Sequence, residues 1–223
     1  MIRTVLFDLD GTILDTNELI LRSFLHVLQG KTPKPLTRED IIPHMGGTLA
    51  EQMRYFSGRE EVDDLIAGYR EYNLAKHDEL VREFPHVTEV LSQLKDRGIR
   101  LGVVTSKLRF TADLGLRHCN LDRWMDVVIT ADDVENPKPA PDPILLALRR
   151  LGEKPETAMM VGDSHFDLLA AKRAGVVSVA VAWSLKGTDV LRRYEPDFII
   201  NDMRELLDLT GPSKPSGDPK ETG

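Results

Sequence analysis

The sequence predicts an α/β fold, a parallel sheet covered on both faces and interrupted near its start by a helical insertion. Three observations carry this. Short apolar runs and amphipathic helices alternate from about residue 87 to residue 182, a pace that implies βαβ units. A lone strand-like run, Ile2 to Phe7, precedes them at the N-terminus. Between the two lies a stretch with helical spacing and no convincing strand.

The first run ends at Asp8-Leu9-Asp10-Gly11-Thr12, where glycine permits a tight turn. From Thr16 to about Tyr72 the spacing turns helical, with Leu19, Ile20, Ser23, Phe24, Val27 and Leu28 on one face. Pro33, Pro35, Pro43, Gly46 and Gly47 divide this region into short helices. After Pro85 a helix over 87–97 stops at Gly98, and a strand follows at 99–104. Further strands are expected at 127–130, 158–161 and 177–182, with helices at 142–151 and 164–174. The division is therefore a core of residues 1–14 and 83–210, a helical cap of 15–82, and a tail of 211–223. The tail has no large apolar side chain and is expected to be disordered.

Composition limits the partners. The chain has 223 residues, with 29 Lys+Arg against 36 Asp+Glu, a formal charge of -7. That balance opposes broad binding to nucleic acid or to an anionic membrane. No apolar run approaches the roughly 20 residues of a membrane helix. A single cysteine, Cys119, forms no internal disulfide, and the N-terminus lacks the pattern of a targeting peptide. The expectation is a soluble, cytoplasmic protein. Oligomeric state is left open.

Ligands of an open parallel sheet bind at the carboxyl ends of its strands. The residues leaving those ends are Asp8 and Asp10; then Thr105, Ser106 and Lys107; then Asp132 and Asp133, leading to Lys138 framed by Pro137, Pro139 and Pro141; then Gly162 and Asp163, with Asp167 one turn later. Asp8 and Asp10 project to one side of an extended chain, and carboxylates so close repel unless a cation or a proton intervenes. With Asp163 and Asp167 added, a hard cation of the Mg²⁺ type is the economical solution, with substrate phosphate oxygens completing its shell. The competing structural reading makes each aspartate a helix cap, Asp163 for the helix beginning near Ser164. Lys138 competes with an ordinary surface lysine, and Thr105 and Ser106 with ordinary strand-end residues. Functionally, their hydroxyls suit phosphate oxygens.

Together these segments resemble the haloacid dehalogenase-like superfamily. Asp8-Leu9-Asp10-Gly11-Thr12 is similar to its first motif, Val103-Val104-Thr105 to its second, Lys138 to its third, and Gly162 to Asp167 to its fourth, all in order. The resemblance implies a Rossmann-like, doubly wound core with a cap over the site. It implies Asp8 as nucleophile, forming an aspartyl-phosphate, and Asp10 as general acid and then base. Thr105 and Lys138 would hold the phosphoryl group, with Gly11, Thr12, Ser106 and Lys107 around the substrate. Mg²⁺ would bind Asp8, the Asp10 carbonyl and Asp163, supported by Asp167. Dehalogenases of this superfamily lack the second aspartate, so Asp10 points to phosphoryl transfer.

Within the superfamily the chain is similar to the PpaX-type bacterial inorganic pyrophosphatases. The supporting stretches are Asp15 to Ile20 with Ser23-Phe24, Arg38-Glu39-Asp40, Tyr69-Arg70 with Asn73, Asp132 to Glu135, Trp183 to Gly187 and Tyr194 to Phe198. The expected substrate is therefore a small anionic phosphate, pyrophosphate. Phosphoglycolate or another small phosphomonoester is the alternative. A sugar phosphomutase and a phospho-accepting signalling module are further rivals, the last opposed by the Asp-x-Asp on strand one and the large insertion.

For the leaving phosphate, Lys107, Arg109, Lys186, His26, Arg54, Arg59, Lys76 and His77 are candidate cations or donors, each weighed against solvated surface charge. His44-Met45-Gly46-Gly47-Thr48 reads equally as an anion-binding helix start or a plain turn. Met53, Tyr55, Phe56, Tyr69 and Tyr72 read as packing inside the cap.

Overall fold

The computed structural model describes residues 1–211, so the tail expected over 211–223 lies, apart from Gly211, outside the described residues. Strand β1 (Thr4–Phe7) is buried at every position, as a central strand covered on both faces requires. Its Asp8 amide donates to Val161 O at 2.8 Å, carrying the pairing to the edge of the turn. Two-residue strand β2 (Leu14–Asp15) then leads into helices α1 (Asn17–Leu28), α2 (Arg38–Ile41), α3 (Leu49–Ser57) and α4 (Asp63–Leu80), and β3 (Arg82–Glu83) brings the chain back. β2 and β3 pair antiparallel, Leu14 opposite Glu83 and Asp15 opposite Arg82.

The remaining chain alternates: α5 (Val87–Asp96), β4 (Arg100–Val104), α6 (Arg109–His118), β5 (Val127–Ile129), α7 (Asp142–Leu151), β6 (Ala158–Gly162), α8 (His165–Ala174), β7 (Val177–Val181), α9 (Thr188–Arg192), β8 (Phe198–Ile200) and α10 (Leu206–Leu209). The six long strands form one sheet in the order β5-β4-β1-β6-β7-β8, parallel at every pairing. The order reverses at β1, where β4 and β5 lie to one side and β6 onward to the other. The carboxyl end of β1 therefore faces the crevice of a doubly wound sheet.

Alternation along β1 feeds two apolar layers. Val5 and Phe7 pack with Val90, Leu94, Val103 and Val161 on one face, while Leu6 packs with Val104, Ile144 and Met160 on the other. Phe7 is fully buried, and truncating it to alanine would cost about 3–5 kcal/mol. A third layer belongs to the inserted helices: Leu21, Phe24, Val27, Met53, Phe56 and Leu65 bury one another without the sheet.

Local chemistry sets the ends of the inserted helices. Thr48 starts α3 by accepting from the Glu51 amide, while Glu51 accepts from the Thr48 amide at 3.1 Å. Tyr55, expected inside the cap, is instead 64% exposed and lies against His44, because α3 turns only its Gln52, Met53 and Phe56 face inward. Tyr72 is half-buried and stacks on His26.

Candidate active site

The turn after β1 is closed by the Gly11 amide, which donates to Leu14 O at 2.8 Å. Gly11 adopts φ +78°, and a β-carbon there would lie 2.7 Å from Asp163 Oδ2. Only glycine provides both the left-handed backbone and that close approach. The two motifs at the ends of β1 and β6 are thus in direct contact.

Asp8, Asp163 and Asp167 are buried and present carboxylate oxygens within 4.8 Å of one another. Lys138 reaches this group from the proline-framed loop, its Nζ 2.8 Å from Asp8 Oδ1, 2.6 Å from Asp167 Oδ1 and 3.0 Å from Val104 O. The lysine is only 3% exposed, so the surface reading of Lys138 does not hold. Asp167 Oδ2 accepts from the Ser164 amide at 3.0 Å and from its hydroxyl at 2.6 Å. Ser164 and Asp167, not Asp163, cap α8, because Ser164 is the last extended residue before the helix.

Electrostatics follow from this crowding. Burial raises the Asp8 carboxyl to about 8, assisted by Asp167 and Asp163 and opposed by Lys138. Burial also raises Asp163, against the pull of Lys186. Burial works against the Lys138 ammonium, but Asp167 and Asp8 outweigh it and hold its pKa above the ordinary lysine value. Three buried carboxylates against two buried ammoniums, Lys138 on Asp8 and Asp167 and Lys186 on Asp163, still leave a deficit of positive charge. The donors are all oxygen, and Asp167 is already satisfied by Lys138 and Ser164. Asp8 and Asp163 remain for a hard divalent ion, so the cluster can hold a metal.

Asp10 stands outside that cluster. Its Oδ1 accepts from Lys107 Nζ at 2.8 Å and from Thr16 Oγ1 at 2.7 Å. Asp8, Asp10, Thr105, Ser106, Lys107 and Asp163 line the core side of a cavity of about 330 Å³. The Ser106 hydroxyl is buried and has no partner among the described residues. Thr105 Oγ1 accepts from the Lys107 amide at 3.2 Å. From the insertion, Gly46 and Gly47 before α3, and Gln52, Tyr69, Arg70 and Asn73 on its helices, add to the wall. Tyr69 therefore serves both the packing of the helices and the cavity.

Four expected site residues, Gly11, Thr12, Lys138 and Asp167, do not line the cavity. Gly11 supports Asp163 from beside it, and the Thr12 hydroxyl is fully buried without a partner among the described residues. Lys138 lies behind Asp8. Most of the further cations are engaged elsewhere: Arg59 pairs with Asp64, Lys76 with Glu79, Arg109 with Asp133, Arg54 with Glu60 O, and His77 with Asp78. Lys186 is different. Its side chain is 3% exposed and its Nζ lies 3.4 Å from Asp163 Oδ2. Ser184 Oγ, donating to Asp163 O at 2.6 Å, fixes the loop that carries it.

Gln52, Arg70 and the contact of the glycines with the core are the wall features that spacing alone left out. Gly46 has φ +108°, and a β-carbon there would meet Ser164 Oγ at 2.9 Å and Phe166 Cδ2 at 3.1 Å. The glycines thus let the inserted segment rest on the start of α8.

Comparison with known proteins agrees with this geometry. The family model described as haloacid dehalogenase-like hydrolase matches residues 5–181. A Bacillus velezensis protein called pyrophosphatase PpaX is 47% identical over 212 residues, covering 94% of this chain and 97% of its own. One of the same name from Bacillus cereus is 46% identical over 208 residues, covering 93% and 96%. Among solved structures, a haloacid dehalogenase-like family hydrolase from Streptococcus pneumoniae superposes with TM-score 0.81 at 26% identity, covering 94% of this chain and 99% of that one. A subfamily IA hydrolase of the same superfamily from Geobacter sulfurreducens gives 0.71 at 29%, covering 94% and 100%. With sheet order, motif contacts and sequence in agreement, this chain belongs to the haloacid dehalogenase-like hydrolase family.

Proposed function

We propose that the chain is a Mg²⁺-dependent phosphohydrolase that splits inorganic pyrophosphate through a phosphorylated Asp8. The observation that carries the mechanism is the 2.8 Å pairing of buried Lys138 with Asp8 at a cavity that Asp8 and Asp10 both line. Lys138 aims the carboxylate and balances charge on the transferring group. The Asp8 carboxylate attacks phosphorus while the bond to the bridging oxygen breaks, and Asp10 gives its proton to that oxygen. Water then attacks the phosphoryl group, Asp10 takes up the released proton, and the bond from Asp8 to phosphorus breaks. Asp8 is restored as carboxylate and Asp10 as acid.

Lys107 and Thr16 hold one Asp10 oxygen and so fix the direction of the other. Thr105 and the unpartnered Ser106 hydroxyl supply donors for phosphoryl oxygens. Mg²⁺ held by the Asp8 and Asp163 carboxylates and the Asp10 carbonyl would supply the remaining positive charge. Lys107 and Arg70 at the cavity wall suit the anionic leaving phosphate. The name of the Bacillus relatives supports pyrophosphate as the substrate. A cytoplasmic location fits the single half-buried thiol of Cys119, which burial raises above its ordinary pKa.

A second reading, a phosphatase for phosphoglycolate or another small phosphomonoester, is favoured by Ile20, Phe24, Leu49 and Ile66 in the cavity wall, which suit an organic group better than a second phosphate. The test is kcat/KM with Mg²⁺ across pyrophosphate, phosphoglycolate and hexose phosphates. Pyrophosphate is expected to rank first, and a rank below phosphoglycolate overturns the first reading in favour of the second.

A further inference from the structure

Away from the cavity, the last turn of α4 meets the last turn of α6. His77 and Asp78 come from α4 in the insertion, and His118 comes from α6 beside the sheet. One oxygen, Asp78 Oδ1, lies 2.8 Å from His77 Nδ1 and 3.5 Å from His118 Nδ1. The two imidazoles stand edge to face, with ring centres 5.3 Å apart and planes at 77°. Donor atoms bound tetrahedrally at zinc distances are themselves about 3.3 Å apart. The two measured separations bracket that value.

The approach of the helices is built into the sequence. A β-carbon at Gly115 of α6 would lie 2.8 Å from Leu14 Cδ1 and 3.8 Å from His77 Nε2, so glycine lets α6 close on this corner. His77 is 3% exposed, yet its only polar contact among the described residues is Asp78, and its Nε2 has no partner. A buried imidazole with one hydrogen bond to a surface carboxylate is poorly satisfied as a structural element. The ring atom it turns to Asp78 is Nδ1, not the unpartnered Nε2, and with His118 Nδ1 on the same oxygen two imidazoles and a carboxylate converge, a set that suits a borderline ion and discriminates against Mg²⁺.

We propose that His77, Asp78 and His118 form a second metal site, selective for Zn²⁺-like transition ions, in which one ion ties the inserted helix α4 to α6 of the core. Solvent fills the fourth position, since Asp78 is exposed. The bound ion fixes the angle between the two helices and so restrains movement of the insertion against the sheet. This site shares no residue with the Asp8 cluster and stands or falls independently of the reaction.

The experiment titrates Co²⁺ into the full chain in excess Mg²⁺, which occupies the oxygen-only cluster. The expected result is about one equivalent of Co²⁺ giving the intense visible bands of a tetrahedral nitrogen-containing site, displaced by Zn²⁺. His118→Ala and Asp78→Asn alter side chains that contact solvent and leave the Asp8 cluster intact. Each is expected to weaken uptake by about tenfold or more. Absence of tetrahedral bands in the wild type, or bands of equal affinity in His118→Ala, overturns the proposal.

Discussion

Gly11 and Asp163 occupy one contact: the space a β-carbon would take at the first belongs to a carboxylate oxygen of the second, 2.7 Å away. Gly11→Ala must therefore move Asp163, and it also places an alanine at φ +78°, a strain of about 1 kcal/mol. The expected outcome is a modest fall in Tm together with a Mg²⁺ requirement raised by about tenfold. Turnover measured against Mg²⁺ concentration checks it, and an unchanged requirement would show that Asp163 is not held by this contact.

Asp8→Asn keeps the size of the side chain and a hydrogen-bonding oxygen for Lys138 but removes the proposed nucleophile. Turnover is expected to vanish while the circular dichroism spectrum and Tm stay near wild type. Activity close to wild type in this variant would refute attack by Asp8.

The raised pKa of Asp8 has a thermodynamic consequence. Its value is about 8 in the folded chain against an ordinary 3.8, so the carboxyl contributes stability that is present below pH 4 and lost as pH rises toward 8. Asp163 shifts in the same direction. Burial lowers His44 and His165, which act oppositely as pH falls through 6.5. Comparing Tm with Mg²⁺ and with chelator at each pH cancels the histidines. The gain from Mg²⁺ is expected to grow from pH 5 to pH 8, and a gain independent of pH would argue against binding at Asp8 and Asp163.

Gly46→Ala is expected to lift the inserted segment off Ser164 and Phe166, because the new methyl group has no free volume there. KM should rise and kcat fall, with a modest fall in Tm from an alanine held at φ +108°, since the contact itself lies outside the three apolar layers. Adding Phe166→Ala removes part of the obstacle, and partial recovery of kcat/KM in the double variant distinguishes this contact from a general defect.

Much of the fold was legible because its core strands are apolar runs bounded by glycine or polar residues, as in Ile99 to Val104 and Ala158 to Val161. β8 was not, since Phe198-Ile199-Ile200 is a three-residue edge strand with Phe198 44% exposed. β2 and β3 are too short for any periodicity. The motif aspartates, Lys138 and the hydroxyls of Thr105 and Ser106 could be listed from strand ends, because a parallel sheet brings those ends together. Lys186 could be named but not placed, for its burial depends on Ser184 folding the loop back onto Asp163. Gln52 carries no signal beyond a helical face, and Arg70 only that of the Tyr69-Arg70 stretch; the docking of the inserted helices puts both on the wall of the cavity that Asp10 also lines.

The pairing of Leu14 with Glu83 and of Asp15 with Arg82 means that the chain departs from the core and re-enters it at adjacent points. Antiparallel partners lie about 5 Å apart, a gap that a two-residue turn can span. Everything between them can be lengthened, exchanged or removed without altering a single strand order in the sheet. Asp8, Lys138 and Asp163 all lie on the uninterrupted side of that junction, so under the proposed function substrate preference is free to evolve while the reaction stays fixed.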